Sequence, residues 1–164
     1  MRVISAPSLE TDDAGYTDRA ILCLELNPHE HLLLWSFREL LTARLEGRSV
    51  RHLNGLKGMP DRASTILLRL LASELAATTC RNLHFGQTHC QHLLPDELVL
   101  LAAIDRLQAS DDARAVMLLE NLCASHDIHG LLEAADHLCR ALHKRDMVVQ
   151  VMHLVPPALL PSIH

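Results

Sequence analysis

The fold class follows from the stretch PDELVLLAAIDRLQA, residues 95–109. Pro95 suits the first turn of an α-helix, because the N–H that proline lacks has no helical partner there in any case. Asp96 and Glu97 follow, where the positive end of the helix dipole favours acidic side chains. The seven residues 98–104 are all apolar, and this run is far shorter than the ~18 apolar residues of a membrane span. The stretch therefore predicts an α-helix of a soluble, non-membrane protein.

Further helices are predicted on both sides of this stretch from the helical spacing of apolar residues and from terminal signals. Asn27 and Pro28 open the first helix, and Gly47 ends it. Three further helices are predicted from Pro60–Asp61 to about Asn82, from Asp111 or Asp112 to Ser125, and from Leu131 to Lys144. A short, apolar sixth helix is predicted after its cap, Asp146, and ends at Leu154. The links at 47–60 and 83–94 carry glycines and are predicted to be irregular.

The spacing also predicts which side of the first two helices faces water. In the first helix, Arg38 is expected on the polar side, opposite the apolar residues. In the second helix, Arg62 and Arg69 mark the polar side. One broad apolar side is predicted opposite them, formed by Ile66, Leu67, Leu70, Leu71 and Leu75.

The composition agrees with an all-α fold. Leucine supplies roughly a fifth of the 164 positions and only four residues are aromatic, so the core is aliphatic, which suits packed helices. One domain of five to six helices is predicted over residues 27–164. Residues 1–20 show no periodicity, and residues 21–26 fit an extended lead-in or a helical turn. We therefore predict a mobile N-terminal arm or lead-in over residues 1–26.

Charge and cysteine content restrict the class of protein. The formal net charge is −5, which argues against nucleic-acid binding, because such binding needs a basic face. The N-terminus lacks an apolar segment long enough for a signal peptide. The five cysteines are odd in number and have no compact disulfide spacing, so we expect a reducing compartment, the cytoplasm.

The twelve histidines are far more than this length usually carries, and they are densest in CRNLHFGQTHCQH, residues 80–92. Thiolate sulfur and imidazole nitrogen are the ligands that Zn²⁺ prefers, so this segment is a candidate zinc site. The candidate ligands are Cys80, His84, His89, Cys90 and His92. The two separated ligand pairs of common structural zinc sites are absent, however. The alternative is a polar loop with solvated histidines and packed thiols, and then no cofactor is expected.

A second candidate site is the basic link between the first two helices. Arg48, Arg51 and Lys57 belong to the only positive concentration in an acidic chain. Such residues could hold an anion or an acidic partner segment. The alternative is a solvated loop.

Catalytic motifs are missing, so no catalytic residue is predicted. The sequence has no Glu-x-x-His pair, no H-E-x-x-H, no G-x-S-x-G, no P-loop and no G-x-G-x-x-G. The apolar fraction of 49% exceeds what the interior of a small monomer needs, which favours a subunit interface. We therefore expect a non-catalytic helical domain, a homodimer or the binder of a protein partner, with a regulatory role as one option. The alternatives are a structural or sensory zinc protein and, more weakly, a bundle that binds a small molecule among its helices.

Overall fold

The computed structural model of the chain describes residues 3–5, 21–45, 59 and 61–159. Within these residues it is an all-α bundle, as predicted. Its five α-helices are α1 Pro28–Leu45, α2 Arg62–Thr78, α3 Pro95–Gln108, α4 Asp112–Cys123 and α5 His129–His143. Two three-residue strands accompany them, β1 Val3–Ser5 and β2 Leu83–Phe85.

Helix α3 lies at the centre of the bundle. Its residues 96–105 are all buried, which explains why its apolar run is continuous rather than periodic. It packs against α4, α5, α1 and β2, while α2 packs mainly against α5 and also against α1. The stretch that identifies the fold in the sequence is thus the helix around which the others assemble.

The predicted starts of α2 and α4 are confirmed by local hydrogen bonds, whereas α5 begins at His129 rather than at the predicted Leu131. Asp61 caps α2 by accepting the Ser64 N–H at 2.7 Å, and Asp111 caps α4. The predicted end of α2 near Asn82 is wrong, because the helix stops at Thr78. The chain turns away there, where the N–H of Cys80 donates to the carbonyl of Cys123 at the end of α4.

The prediction of an irregular link over residues 83–94 is wrong for Leu83–Phe85. These residues form β2, which pairs in parallel with β1, Val3 opposite Leu83. Strand β1 lies within the predicted N-terminal arm, most of which lies outside the described residues. At the end of that arm, Cys23–Glu25 form a 3-10 turn, in agreement with a lead-in that contains a helical turn.

The predicted sixth helix is also wrong. Residues 147–155, which we call the C-terminal strap, are irregular apart from a 3-10 turn over Met152–Leu154. Side chains from other elements bind the strap's backbone groups, so no helical ladder is needed. The bonds join Gln108 to Met147 O and Val149 N, Glu30 to the N–H of Gln150, and Asp105 to the N–H of Met152.

Candidate functional site

A buried ion pair joins α1 to α3. Arg38 is 2% exposed and Glu97 is wholly buried. Arg38 donates from Nε to Glu97 Oε1 at 2.7 Å and from Nη2 to Glu97 Oε2 at 2.6 Å, a two-pronged geometry that is stronger than a single contact. The expectation that Arg38 lies on the polar side of the first helix is therefore wrong.

The same pair fixes the link between β2 and α3. Arg38 Nη1 donates to the carbonyl of Cys90 and Nη2 to that of His92. Glu97 accepts the N–H groups of Gly86 and Leu94, each at 2.8 Å. Two buried charges thus satisfy backbone polar groups of the link, which makes this junction a structural support.

Glycine is required at position 86 by this junction. A Cβ atom there would lie 2.8 Å from Arg38 Nη2, closer than real contacts allow. A side chain at this position would push the guanidinium away from its partners.

Burial and pairing act in opposite directions on the ionisation of this junction. Burial by itself lowers the pKa of the Arg38 guanidinium, but the hydrogen bond and charge of Glu97 outweigh it, so the pKa stands above its ordinary value. Burial also raises the pKa of the nearby Cys23 thiol, and Arg38 offsets only part of that rise. Arg38 therefore stays charged, and Cys23 stays a neutral thiol with little nucleophilic character.

The five candidate metal ligands differ in their positions and in their exposure. His84 points outward from β2, with Nδ1 3.7 Å from Asp96 Oδ2. Cys80 is exposed just after α2, and His89 is exposed in the link. Cys90 and His92 are both half-buried, and Cys90 Sγ lies 3.5 Å from the carbonyl oxygen of His92.

In the part of the chain that the structure describes, no three His, Cys, Asp or Glu side chains come together as a group that could hold a metal ion. The zinc site therefore remains a prediction from the sequence. The other predicted site, Arg48, Arg51 and Lys57, lies outside the described residues.

The outward face of α2 carries large apolar side chains. Ile66 is 53% exposed and Leu70 is 42% exposed. The other exposed residues of this helix are Arg62, Ala63, Ser73 and Ala77. At about 100° per residue, all six fall within one arc of roughly 100°, with Arg62 and Ser73 at one edge and apolar residues over the rest. We call the surface formed by residues 63, 66, 70, 73 and 77 the α2 face.

The prediction of one broad apolar side for this helix is wrong. Leu71 and Leu75 are buried against the bundle, whereas Ile66 and Leu70 lie on the outside, in the same arc as Arg62. The predicted apolar side spans about half of the circumference, which is wider than one contact covers. That width is the signal from which a second, outward surface could be inferred.

An open groove of about 480 Å³ lies between the C-terminal strap and the ends of α3 and α5. Val148, Val149 and Met152 form its apolar part, and the rings of two histidines, at positions 143 and 153, also line it. Arg106 also lines the groove, and the carboxylates of Asp105 and Asp111 already balance its charge. The volume falls within the ~300–1,000 Å³ of small-molecule sites.

No helix among the described residues is both long and apolar enough to cross a membrane. Comparison of the chain with protein-family models, with curated proteins and with solved structures finds no match. Function is therefore inferred from the surfaces of the chain itself.

Proposed function

We propose that this chain is a non-catalytic helical domain that acts through protein–protein contact, with the α2 face as its contact surface. The observation that carries the proposal is the outward exposure of Ile66 and Leu70, one turn apart, with only small residues beside them on the face. A surface helix ordinarily turns charged or polar residues to water on this side. Large contiguous apolar surface marks an interaction site, and this face brings together two of the large apolar side chains that the described residues leave exposed.

The energetics favour a covered α2 face. Full burial of an Ile or Leu side chain stabilises by about 1.5–3 kcal/mol, so covering the exposed half of Ile66 or Leu70 contributes roughly 1 kcal/mol each. Ala63, Ser73 and Ala77 add little area, but small residues allow a partner helix to approach closely. A helical partner surface is therefore the complement that fits such a face.

The test compares the wild-type chain with Leu70→Glu in affinity capture and in sedimentation velocity. We expect the wild type to bind a protein, this chain or another, that the variant loses, because the new charge would be buried without a partner. Leu24→Glu is the matched control, since Leu24 is 88% exposed and lies far from α2 in the sequence. Identical captured proteins and identical sedimentation for wild type and Leu70→Glu would overturn the proposal.

A second candidate function, small-molecule binding, is favoured by the groove beside the C-terminal strap. The groove combines apolar side chains with the His143 and His153 rings, a mixture typical of ligand sites. A screen by thermal shift tests it, with Met152→Trp as the variant that fills the groove. Hits that stabilise wild type and variant equally would count against this site.

A further inference from the structure

The α2 face has the spacing of a coiled-coil seam. Ala63, Leu70 and Ala77 are seven residues apart, and Ile66 and Ser73 stand three residues after the first two of them. Apolar residues at the first and fourth positions of successive heptads are the pattern by which two helices pack side by side. Four of the five positions are apolar, and the fifth carries the small side chain of serine. The buried residues of α2 face the bundle, where α5 packs against this helix, so the seam points out of the domain.

Opposite charges border the two edges of the seam. Arg69 immediately precedes Leu70 on one edge, and Glu74 immediately follows Ser73 on the other. Both side chains are partly buried, and neither forms an ion pair within the residues that the structure describes. The Glu74 carboxylate lies against Gly130 in the first turn of α5, and no ion pair joins it to the described residues there, His129 included. Charges at these two heptad positions set the partner and the orientation of paired helices.

These charges suit a second copy in parallel orientation. In a parallel, in-register pair, the residue that precedes a seam residue such as Leu70 lies beside the residue five positions later in the partner helix. Arg69 of one copy then lies beside Glu74 of the other, and two-fold symmetry makes this contact twice. In an antiparallel pair centred on Leu70, Arg69 would instead approach Arg69 of the other copy, which is unfavourable.

We infer that α2 pairs in parallel with α2 of a second copy of this chain, with Leu70 against Leu70 and Arg69 against Glu74. This inference rests on the proposed function and names its partner. The helix is only about 26 Å long and its face carries two large apolar side chains, whereas stable interfaces bury about 1,200–2,000 Å² in total. The small serine at position 73 weakens the seam further. The dimer is therefore weak and reversible, and its population depends on protein concentration.

The first experiment measures the monomer–dimer equilibrium of the full chain by sedimentation velocity over a wide concentration range. We expect wild type and Leu24→Glu to dimerise alike and Leu70→Glu to associate at least about tenfold more weakly, because it places two like charges in the seam. Circular dichroism verifies that each variant is folded, which the exposed position of the substitution favours. An unchanged dimer in Leu70→Glu would overturn the inference.

The second experiment tests the orientation through charge. Arg69→Glu alone places two carboxylates at each of the bordering contacts, and Glu74→Arg alone places two guanidinium groups there, so each variant should be monomeric by itself. An equimolar mixture of the two restores an opposite-charge contact on each edge and should give a heterodimer. If Arg69→Glu alone dimerises like the wild type, the parallel arrangement is wrong.

The two proposals fail in different ways. A wild-type chain that stays monomeric at every concentration overturns the inference. The proposed function still stands in that case if a different protein is captured by wild type and lost by Leu70→Glu. If neither association occurs, both fall.

Discussion

The substitution Glu97→Gln removes one charge from the buried junction and almost no volume. In the native chain, four N–H donors meet the two carboxylate oxygens: Nε and Nη2 of Arg38 and the backbone N–H groups of Gly86 and Leu94. Glutamine keeps one oxygen and replaces the other with an NH₂ group. Two of the four donors then face another donor, and the Arg38 charge is buried without a counterion.

Removing one partner of a buried ion pair costs about 3–5 kcal/mol, because the remaining charge is left uncompensated. The free energy of unfolding of a domain is about 5–15 kcal/mol, so the substitution removes a large part of it. For a chain of this size, each 1 kcal/mol lowers the melting temperature by about 2–4 °C, which gives a fall of roughly 6–20 °C.

Urea unfolding followed by far-UV circular dichroism measures the loss directly. Asp136→Asn is the matched control, since it breaks the exposed ion pair with Arg140 and should cost about 0.5 kcal/mol or less. Replacing Arg38 and Glu97 together by methionine should not restore stability, because backbone groups of the link would lose their partners. A loss below about 1 kcal/mol in Glu97→Gln would contradict the assignment of this pair as the support of the junction.

Further tests concern single side chains and added zinc. Burial raises the pKa of Cys139 to about 12, so this thiol should resist iodoacetamide in the folded chain, whereas the exposed Cys80 should react. Peptide mass mapping measures the labelling of each cysteine, and fast labelling of Cys139 would contradict its burial. The pKa of Asp61 lies below its ordinary 3.8, and the hydrogen bond from the backbone N–H of Ser64 is the largest cause. The Asp61 carboxylate therefore stabilises the fold above pH 3.8, and this stabilisation is lost as the pH falls through the lowered pKa. Asp61→Ala should therefore melt below wild type at neutral pH and match it at about pH 2, and an equal gap at both would argue against the cap. Added Zn²⁺ should leave the melting temperature unchanged, because no three His, Cys, Asp or Glu side chains of the described residues form a group that could hold a metal ion. A stoichiometric, stabilising ion would contradict this and support the zinc hypothesis.

Part of the proposed contact surface is visible in the sequence. The seven-residue spacing of Ala63, Leu70 and Ala77 can be read from the chain alone. What the spacing lacks is any indication of which side of α2 the bundle covers, because that depends on where α5 packs. Closeness in sequence also does not place the side chains of the histidine-rich segment together, because His84 lies on a strand and faces outward between two buried residues.

Local signals in the chain are enough to define the all-α class and the starts of α2, α3 and α4, because caps and first-turn contacts act between residues three or four apart. Elements whose hydrogen bonds come from distant parts of the chain are settled by packing instead. The strap follows an irregular path because Glu30 accepts a bond from Gln150, 120 positions away. Arg38 is buried because Glu97, 59 positions away, supplies the charge that offsets the cost of burial, and no local pattern indicates such a partner.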